Sequence, residues 1–234
     1  MSIRKSIGTK NESSLHRTLK FHYAGPSGKI EAEAGGYVAD GINKAGEYIE
    51  VQIGSFAPLK KKVQELAAVA RVKIIHPIAV KKMIEVYKPA SGRKKLGALL
   101  YRRKSPIKKS LWNIFDALIH APQIPLISGV IIEVVLLDIT EKRIKDGKGA
   151  RRRKGISLHD KELAVWHESI LFKKPADYLR FIPFKKGEEF TSSMLAERAG
   201  VEKQTAGKAL YVLTKMKVVE RKGKKSNSWV YVRS

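Results

Sequence analysis

Apolar residues recur along this chain with two different periods, and the switches between them mark its elements. Leu15, Leu19 and Tyr23 fall four apart, which predicts a helix from Glu12 to Tyr23 with Asn11 as its N-cap. After the loop Gly25-Pro26-Ser27-Gly28, alternation from Ile30 to Ala34 predicts a strand. A β-hairpin follows, with β-forming residues from Gly36 to Ile42, a turn at Asn43 to Gly46 and a second arm from Glu47 to Ile53. Pro58 opens a helix whose apolar stripe is Leu59, Val63, Leu66, Ala67 and Ala70. Val72 to Ile78 is an apolar run and reads as a buried strand, whereas Ala79 to Lys88 fits either a strand or a short helix. Leu111, Ile114, Phe115, Leu118 and Ile119 predict an amphipathic helix, Val130 to Ile139 a strand, and Leu163 to Phe172 a strand or a helix.

The last part of the chain carries local signals of a different kind. Thr191 is placed to cap a helix from Ser192 to Ala199, and Gly200-Val201 to turn the chain. A second helix, Glu202 to Lys217, has Ala206, Ala209, Leu210 and Leu213 as its stripe. Val218 to Arg221 and Trp229 to Val232 then form a hairpin with a basic tip. Helix, turn, helix, hairpin, with Pro175 to Ile182 as a first helix, resembles a winged helix-turn-helix. That resemblance implies that Lys203, Gln204, Thr205 and Lys208 face bases and phosphates, and that Lys224 and Lys225 lie on the wing.

Composition narrows the possible partners. The chain has 234 residues, 43% of them hydrophobic, and a formal net charge of +25. A polyanion is the expected partner for such a charge, and nucleic acid is the commonest one. The charge is also clustered. Arg93, Lys94, Lys95, Arg102, Arg103, Lys104, Lys108 and Lys109 span a stretch with no acidic residue. Lys142, Arg143, Lys145, Lys148, Arg151, Arg152, Arg153 and Lys154 share theirs with Asp146 alone, and Gly147 and Gly149 suggest a flexible loop there. Such tracts can be plain solvated surface; nearly free of acids, they are read here as phosphate-gripping surfaces for duplex DNA. With no cysteine, disulfides, thiolate zinc sites and a cysteine nucleophile are excluded. No run of apolar residues is long enough for a membrane span, and the opening Met-Ser-Ile-Arg-Lys-Ser-Ile-Gly has no apolar signal region, so the expected compartment is the cytoplasm.

Candidate chemistry concentrates in the hairpin. In its second arm Ile49, Val51 and Ile53 want the core, so Glu50 and Gln52 share the other face, roughly 7 Å apart. Asp40 on the first arm is placed to lie beside them. Two carboxylates converging across a strand pair repel unless a cation or proton lies between them, and hard oxygen ligands suit Mg2+ or Mn2+.

Asp40 followed by Glu50-Val51-Gln52 resembles the PD-(D/E)xK nucleases, whose fold is restriction-endonuclease-like. The resemblance covers roughly the first 90 residues. It implies metal-dependent phosphodiester hydrolysis, with Asp40, Glu50 and the Val51 carbonyl as cation ligands and Glu12 as an added carboxylate on the first helix. Glu12 also suits the positive end of that helix on its own account. Gln52 stands where the family usually has Lys; because that lysine can migrate to another element, Lys60 or Lys62 is its expected substitute. The pattern Gly-Tyr-x-x-Asp, then Glu-x-Gln, then a helix also resembles an uncharacterised group of bacterial proteins.

The expected architecture is α/β: a restriction-endonuclease-like mixed sheet flanked by helices at 1–90, a basic α+β extension at 91–173 and a winged helix at 174–234. The expected activity is that of a Mg2+- or Mn2+-dependent deoxyribonuclease acting on double-stranded DNA. A homodimer fits the need for two sites to cut both strands. The alternatives are a DNA-binding protein whose nuclease fold no longer cuts, and a basic RNA-binding protein.

Overall fold

The computed structural model describes residues 12–90, 95–149 and 154–234. The expected N-cap Asn11 and the expected DNA-contacting residues Arg151, Arg152 and Arg153 lie outside the described residues. The first helix, α1 (Ser14–Ala24), starts later than its stripe suggested, because Ser13 caps it: the Ser13 hydroxyl accepts the His16 amide at 3.3 Å.

Seven strands form one mixed sheet in the order β1 (Lys29–Ala34), β2 (Tyr37–Ile42), β3 (Tyr48–Val51), β4 (Val72–Pro89), β6 (Val130–Lys145), β7 (Ile156–Phe172), with β5 (Leu96–Lys104) also on β4. β1, β2 and β3 run antiparallel to one another, and helix α2 (Lys60–Val69) carries the chain over to β4, which lies parallel to β3. β6 is parallel to β4 and antiparallel to β7. In the β2–β3 turn, Asn43 Oδ1 accepts the amides of Ala45 and Glu47, each at 3.0 Å, and Gly46 takes a positive φ of 76°.

β4 is far longer than its apolar run and passes through Pro77. On one side it pairs with β3 as far as Ile75 and with β5 only from Met83. Ile75 turns its carbonyl to the Gln52 amide, so Pro77, two residues on, points its missing N–H into the gap between those partners and no ladder bond is lost. Arg102 to Lys104 of the first basic tract belong to strand β5, and Lys142 to Lys145 of the second, expected as part of a flexible loop, complete β6. Their charges are matched across the strands: Arg102 with Glu85 at 3.4 Å, Lys142 with Glu162 at 2.7 Å, and Lys82 with the buried Glu141 at 3.0 Å.

Around β3 both faces of the sheet are covered. On one, Leu15 and Leu19 of α1 pack on Ile49, Val51, Ile75, Val135 and Leu137. On the other, a larger core joins Tyr48, Ile74 and Val134 to Val63 and Leu66 of α2 and to helix α3 (Ile114–Leu118). All four β3 residues are therefore buried, including those expected on a polar face. That larger core continues into the C-terminal elements. There Thr191 caps α4 (Ser192–Ala199), Gly200 ends it at a φ of 64°, and α5 (Lys203–Lys215) leads into the antiparallel hairpin β8 (Val219–Lys225) and β9 (Ser228–Arg233). No described helix is long and apolar enough to cross a membrane.

Tyr178 stacks on Phe172 with ring centroids 4.3 Å apart, yet its buried hydroxyl finds no hydrogen-bond partner among the described residues. An unmade buried hydrogen bond carries a desolvation cost, so Tyr178→Phe is expected to raise stability by about 1 kcal/mol in urea unfolding.

Candidate functional site

Strands β2 and β3 pair at two positions, Gly41 with Ile49 and Ile42 with Tyr48, and then part. β2 stays on β1 and β3 stays on β4. Asp40 and Glu50, the next residues in register, sit in the fork. Their carboxylates stand in for the missing ladder bonds: Asp40 Oδ2 accepts the Val51 amide at 2.8 Å, and Glu50 Oε1 accepts the Asp40 amide at 3.3 Å.

Glu50 is only 3% exposed. Lys62, from the first turn of α2, reaches down to pair with its Oε1. Burial nevertheless pushes the Glu50 carboxyl up to about 7; Lys62 opposes the rise and the Asp40 charge adds to it. Burial acts on Asp40 the same way, but the hydrogen bond and charge of His16, with the Val51 amide, hold it below the usual carboxylate range.

His16, on α1, contacts both arms of the fork. Its Nε2 lies 2.9 Å from the Val51 carbonyl oxygen and 3.3 Å from Asp40 Oδ2, while its Nδ1 bonds to Glu12. Burial favours the neutral ring, but the Asp40 and Glu12 carboxylates outweigh it and raise the imidazole to about 9. The ring is therefore an imidazolium at neutral pH, donating from both nitrogens. Glu12 is held ionised, against its burial, by His16 and by Lys20, whose Nζ is 3.1 Å away.

The Val51 carbonyl and the Asp40 carboxylate thus converge on one point, which the Nε2–H of His16 fills. Oxygen donors so arranged fit a divalent cation. Among the described residues no three His, Cys, Asp or Glu side chains gather as a metal cluster, so a cation here would need the carbonyl as well.

The fork brings together Glu12, Asp40, Glu50 and the Val51 carbonyl. Lys62 joins them, whereas Lys60 forms no ion pair among the described residues. Gln52 directs its side-chain amide to the Ser55 carbonyl at 2.6 Å, and its own carbonyl meets His76 Nδ1 at 2.6 Å. Burial depresses His76 to about 4, so that ring is neutral. His16 was not among the expected site residues; the signal that points to it is the spacing of Glu12, His16 and Lys20, one face of a helix with charges four apart. Lys62 had a signal too, since it lies three after Leu59 and four before Leu66 on the buried stripe.

The basic residues expected to meet DNA occupy three places. Arg102, Arg103 and Lys104 are exposed on β5. Lys203 and Gln204 are exposed at the start of α5 and Thr205 is half-buried, while Lys208 is held by Asp116 of α3 at 2.6 Å. Lys224 and Lys225 are exposed on the hairpin, where Arg221 lies 4.2 Å and Lys224 4.9 Å from the centroid of the exposed Trp229 ring.

The Lys62–Glu50 pair has a testable pH signature. The folded value of Glu50, about 7, lies above its ordinary 4.5, so this group adds stability that is complete below pH 4.5 and is lost as the pH rises through 7. Removing the ammonium raises the carboxyl further. Lys62→Met is expected to cost about 1 kcal/mol more at pH 8, where Glu50 must then take up a proton, than at pH 6, where it already holds one. Urea unfolding at the two pH values measures the difference; an equal cost at both would contradict it.

Comparison with known proteins gives kinship without a biochemical role. A family described as a domain of unknown function, DUF8091, matches residues 13–173, which include the whole sheet and the fork. An uncharacterized protein of Treponema pallidum (strain Nichols) is 22% identical over 192 residues, covering 82% of this chain and 74% of that protein. No solved structure matches the chain significantly. With more than half of its length matched, from α1 to the end of β7, the chain belongs to the DUF8091 family.

Proposed function

We propose that the protein is a metal-dependent nuclease that hydrolyses phosphodiester bonds in duplex DNA, with a PD-(D/E)xK-type site at the strand fork. The observation that carries this reading is the Lys62–Glu50 contact. The strand motif lacks its lysine, and an ammonium from the neighbouring helix reaches the second carboxylate instead. The order helix, three antiparallel strands, helix, parallel strand is also the order that the resemblance implies.

Asp40 and the Val51 carbonyl, with Glu50 beside them, are the groups that would hold a Mg2+ or Mn2+ ion. Such an ion, when bound, polarises the phosphate and acidifies a water molecule. Lys62 Nζ holds a positive charge where negative charge develops on the attacked phosphate. Gln52 cannot replace it, since an amide neither carries a charge nor gives up a proton at these pH values. In the same proposal the C-terminal elements act as a winged helix: Lys203 and Gln204 approach the groove, and Lys224 and Lys225 grip the backbone. Lys208, tied to Asp116, contributes to docking α5 on α3.

A second reading is a DNA-binding protein that does not cut. It is favoured by the Gln52 side chain, which is committed to the Ser55 carbonyl. Cleavage separates the two. Supercoiled plasmid with Mn2+ or Mg2+ is expected to be cut by the wild type. Asp40→Ala and Lys62→Ala should lose about 100-fold or more in rate, the scale for losing an electrostatic stabiliser, with Lys60→Ala close to wild type. Full activity in Asp40→Ala would sink the assignment. DNA binding without any cleavage would favour the second reading. Removing Lys224 should weaken binding evenly across sequences and lower the salt slope by about 1.

A further inference from the structure

We propose that His16 is itself a ligand of the divalent cation, through Nε2, and that it makes the site selective for a first-row transition ion such as Mn2+ over Mg2+. The inference rests on the nuclease reading for the existence of a cation, and names the residue and ion class that reading leaves open.

Three observations converge on it. First, the spacings fit. In an octahedral ion with bonds of about 2.1 Å, neighbouring donors stand about 3.0 Å apart. His16 Nε2 is 2.9 Å from the Val51 carbonyl oxygen and 3.3 Å from Asp40 Oδ2. The ring nitrogen therefore stands to those two oxygens as one coordinating atom stands to its neighbours, and the ring need not swing away for a cation to enter. Second, the far side of the ring is built as a metal-ligating histidine usually is. Nδ1 donates to the Glu12 carboxylate, which fixes the ring and makes Nε2 a better donor. Third, Glu12 is in turn clamped by the buried Lys20, so the arrangement is rigid from α1 to the fork.

The exchange balances simply. The cation takes the place of the Nε2 proton, which leaves to solvent, and the Val51 carbonyl turns from accepting a hydrogen bond to ligating the ion. Glu12, predicted as a cation ligand or helper from its place on the first helix, then acts as a positioning residue behind His16. A nitrogen donor in an otherwise oxygen set selects against Mg2+, which takes oxygen ligands, and suits the transition ions.

The test is Mn2+ and Mg2+ binding to the full chain by calorimetry, with pulsed electron paramagnetic resonance of the bound Mn2+. Wild type is expected to bind Mn2+ about tenfold or more tighter than Mg2+ and to show coupling of the ion to a nitrogen nucleus. His16→Ala and His16→Gln should lose the coupling and the preference for Mn2+. Glu12→Gln should keep the coupling and weaken Mn2+ by about 10- to 100-fold. Near-ultraviolet circular dichroism checks that each variant is folded, and the wild-type spectrum decides the matter even where a variant is not. Absence of nitrogen coupling in the wild type overturns the proposal. So does Mn2+ binding that Asp40→Ala abolishes while His16→Ala leaves it unchanged or tighter; His16 would then compete for the oxygens, and the nuclease reading would survive. No Mn2+ binding by the wild type, with or without duplex DNA, overturns both.

Discussion

A carboxylate buried in the middle of a sheet must be matched, and the matching of Glu50 ties the main elements of this protein to one another. Where β2 and β3 part, two backbone amides lose their ladder partners and two acidic side chains take their place. The resulting negative charge is answered from both sides of the sheet. α2 sends Lys62, and α1 sends His16 backed by Glu12 and Lys20. Neither helix can turn about its axis without breaking an ion pair in a place that water reaches poorly, where an unpaired charge is costly. The apolar stripes of the helices give them adhesion; the fork gives them their phase.

That constraint explains why the sheet is covered on both faces around the fork. β3 has no exposed face: Tyr48 joins the larger core, Ile49 and Val51 the smaller, and Glu50 is buried beside them. Away from the fork the sheet changes character. The far halves of β4 and β6, with β5 and β7, are joined by their backbone ladders and carry cross-strand ion pairs, and β5 leaves Leu99, Leu100 and Tyr101 exposed beside Arg102 and Arg103. The C-terminal helices return to the larger core, and Lys208 joins them to α3. Basic residues are thus presented by several separate elements, which suits a long polyanion better than a small ligand.

Signals that act within a few residues were legible in the chain. Thr191 capping α4, Gly200 ending it, Asn43 and Gly46 making the hairpin turn, and the register that sets Asp40 against Glu50 are all local, and each is where its residues implied. Signals that depend on distant partners were not. Ala79 to Lys88 and Leu163 to Phe172 had no decisive period, because pairing with β6, distant in the chain, makes them strands and no stripe records that. Ser13 displaced Asn11 as the cap of α1 because capping belongs to whichever hydroxyl the extended residue presents.

By itself, then, the sequence determined the elements from α1 to the start of β4 and from α4 onward, the hairpin with its two carboxylates, and a strong positive charge, since these follow from period, turn chemistry and composition. The tertiary structure alone decided which groups answer those carboxylates. Lys60, Lys61 and Lys62 are equivalent as composition; only the rotation of α2, set by burying Leu59, Val63 and Leu66, turns Lys62 onto Glu50. Glu12, His16 and Lys20 form an ordinary charged helix face until α1 is laid across β3 and the His16 ring meets the Val51 carbonyl. Gln52 belonged to the motif by its position, but the turn to Ser55 captured its amide. A side chain's chemistry is written in the chain, whereas its partner is fixed by packing, because a charge is worth little in water and much once burial leaves it a single neighbour.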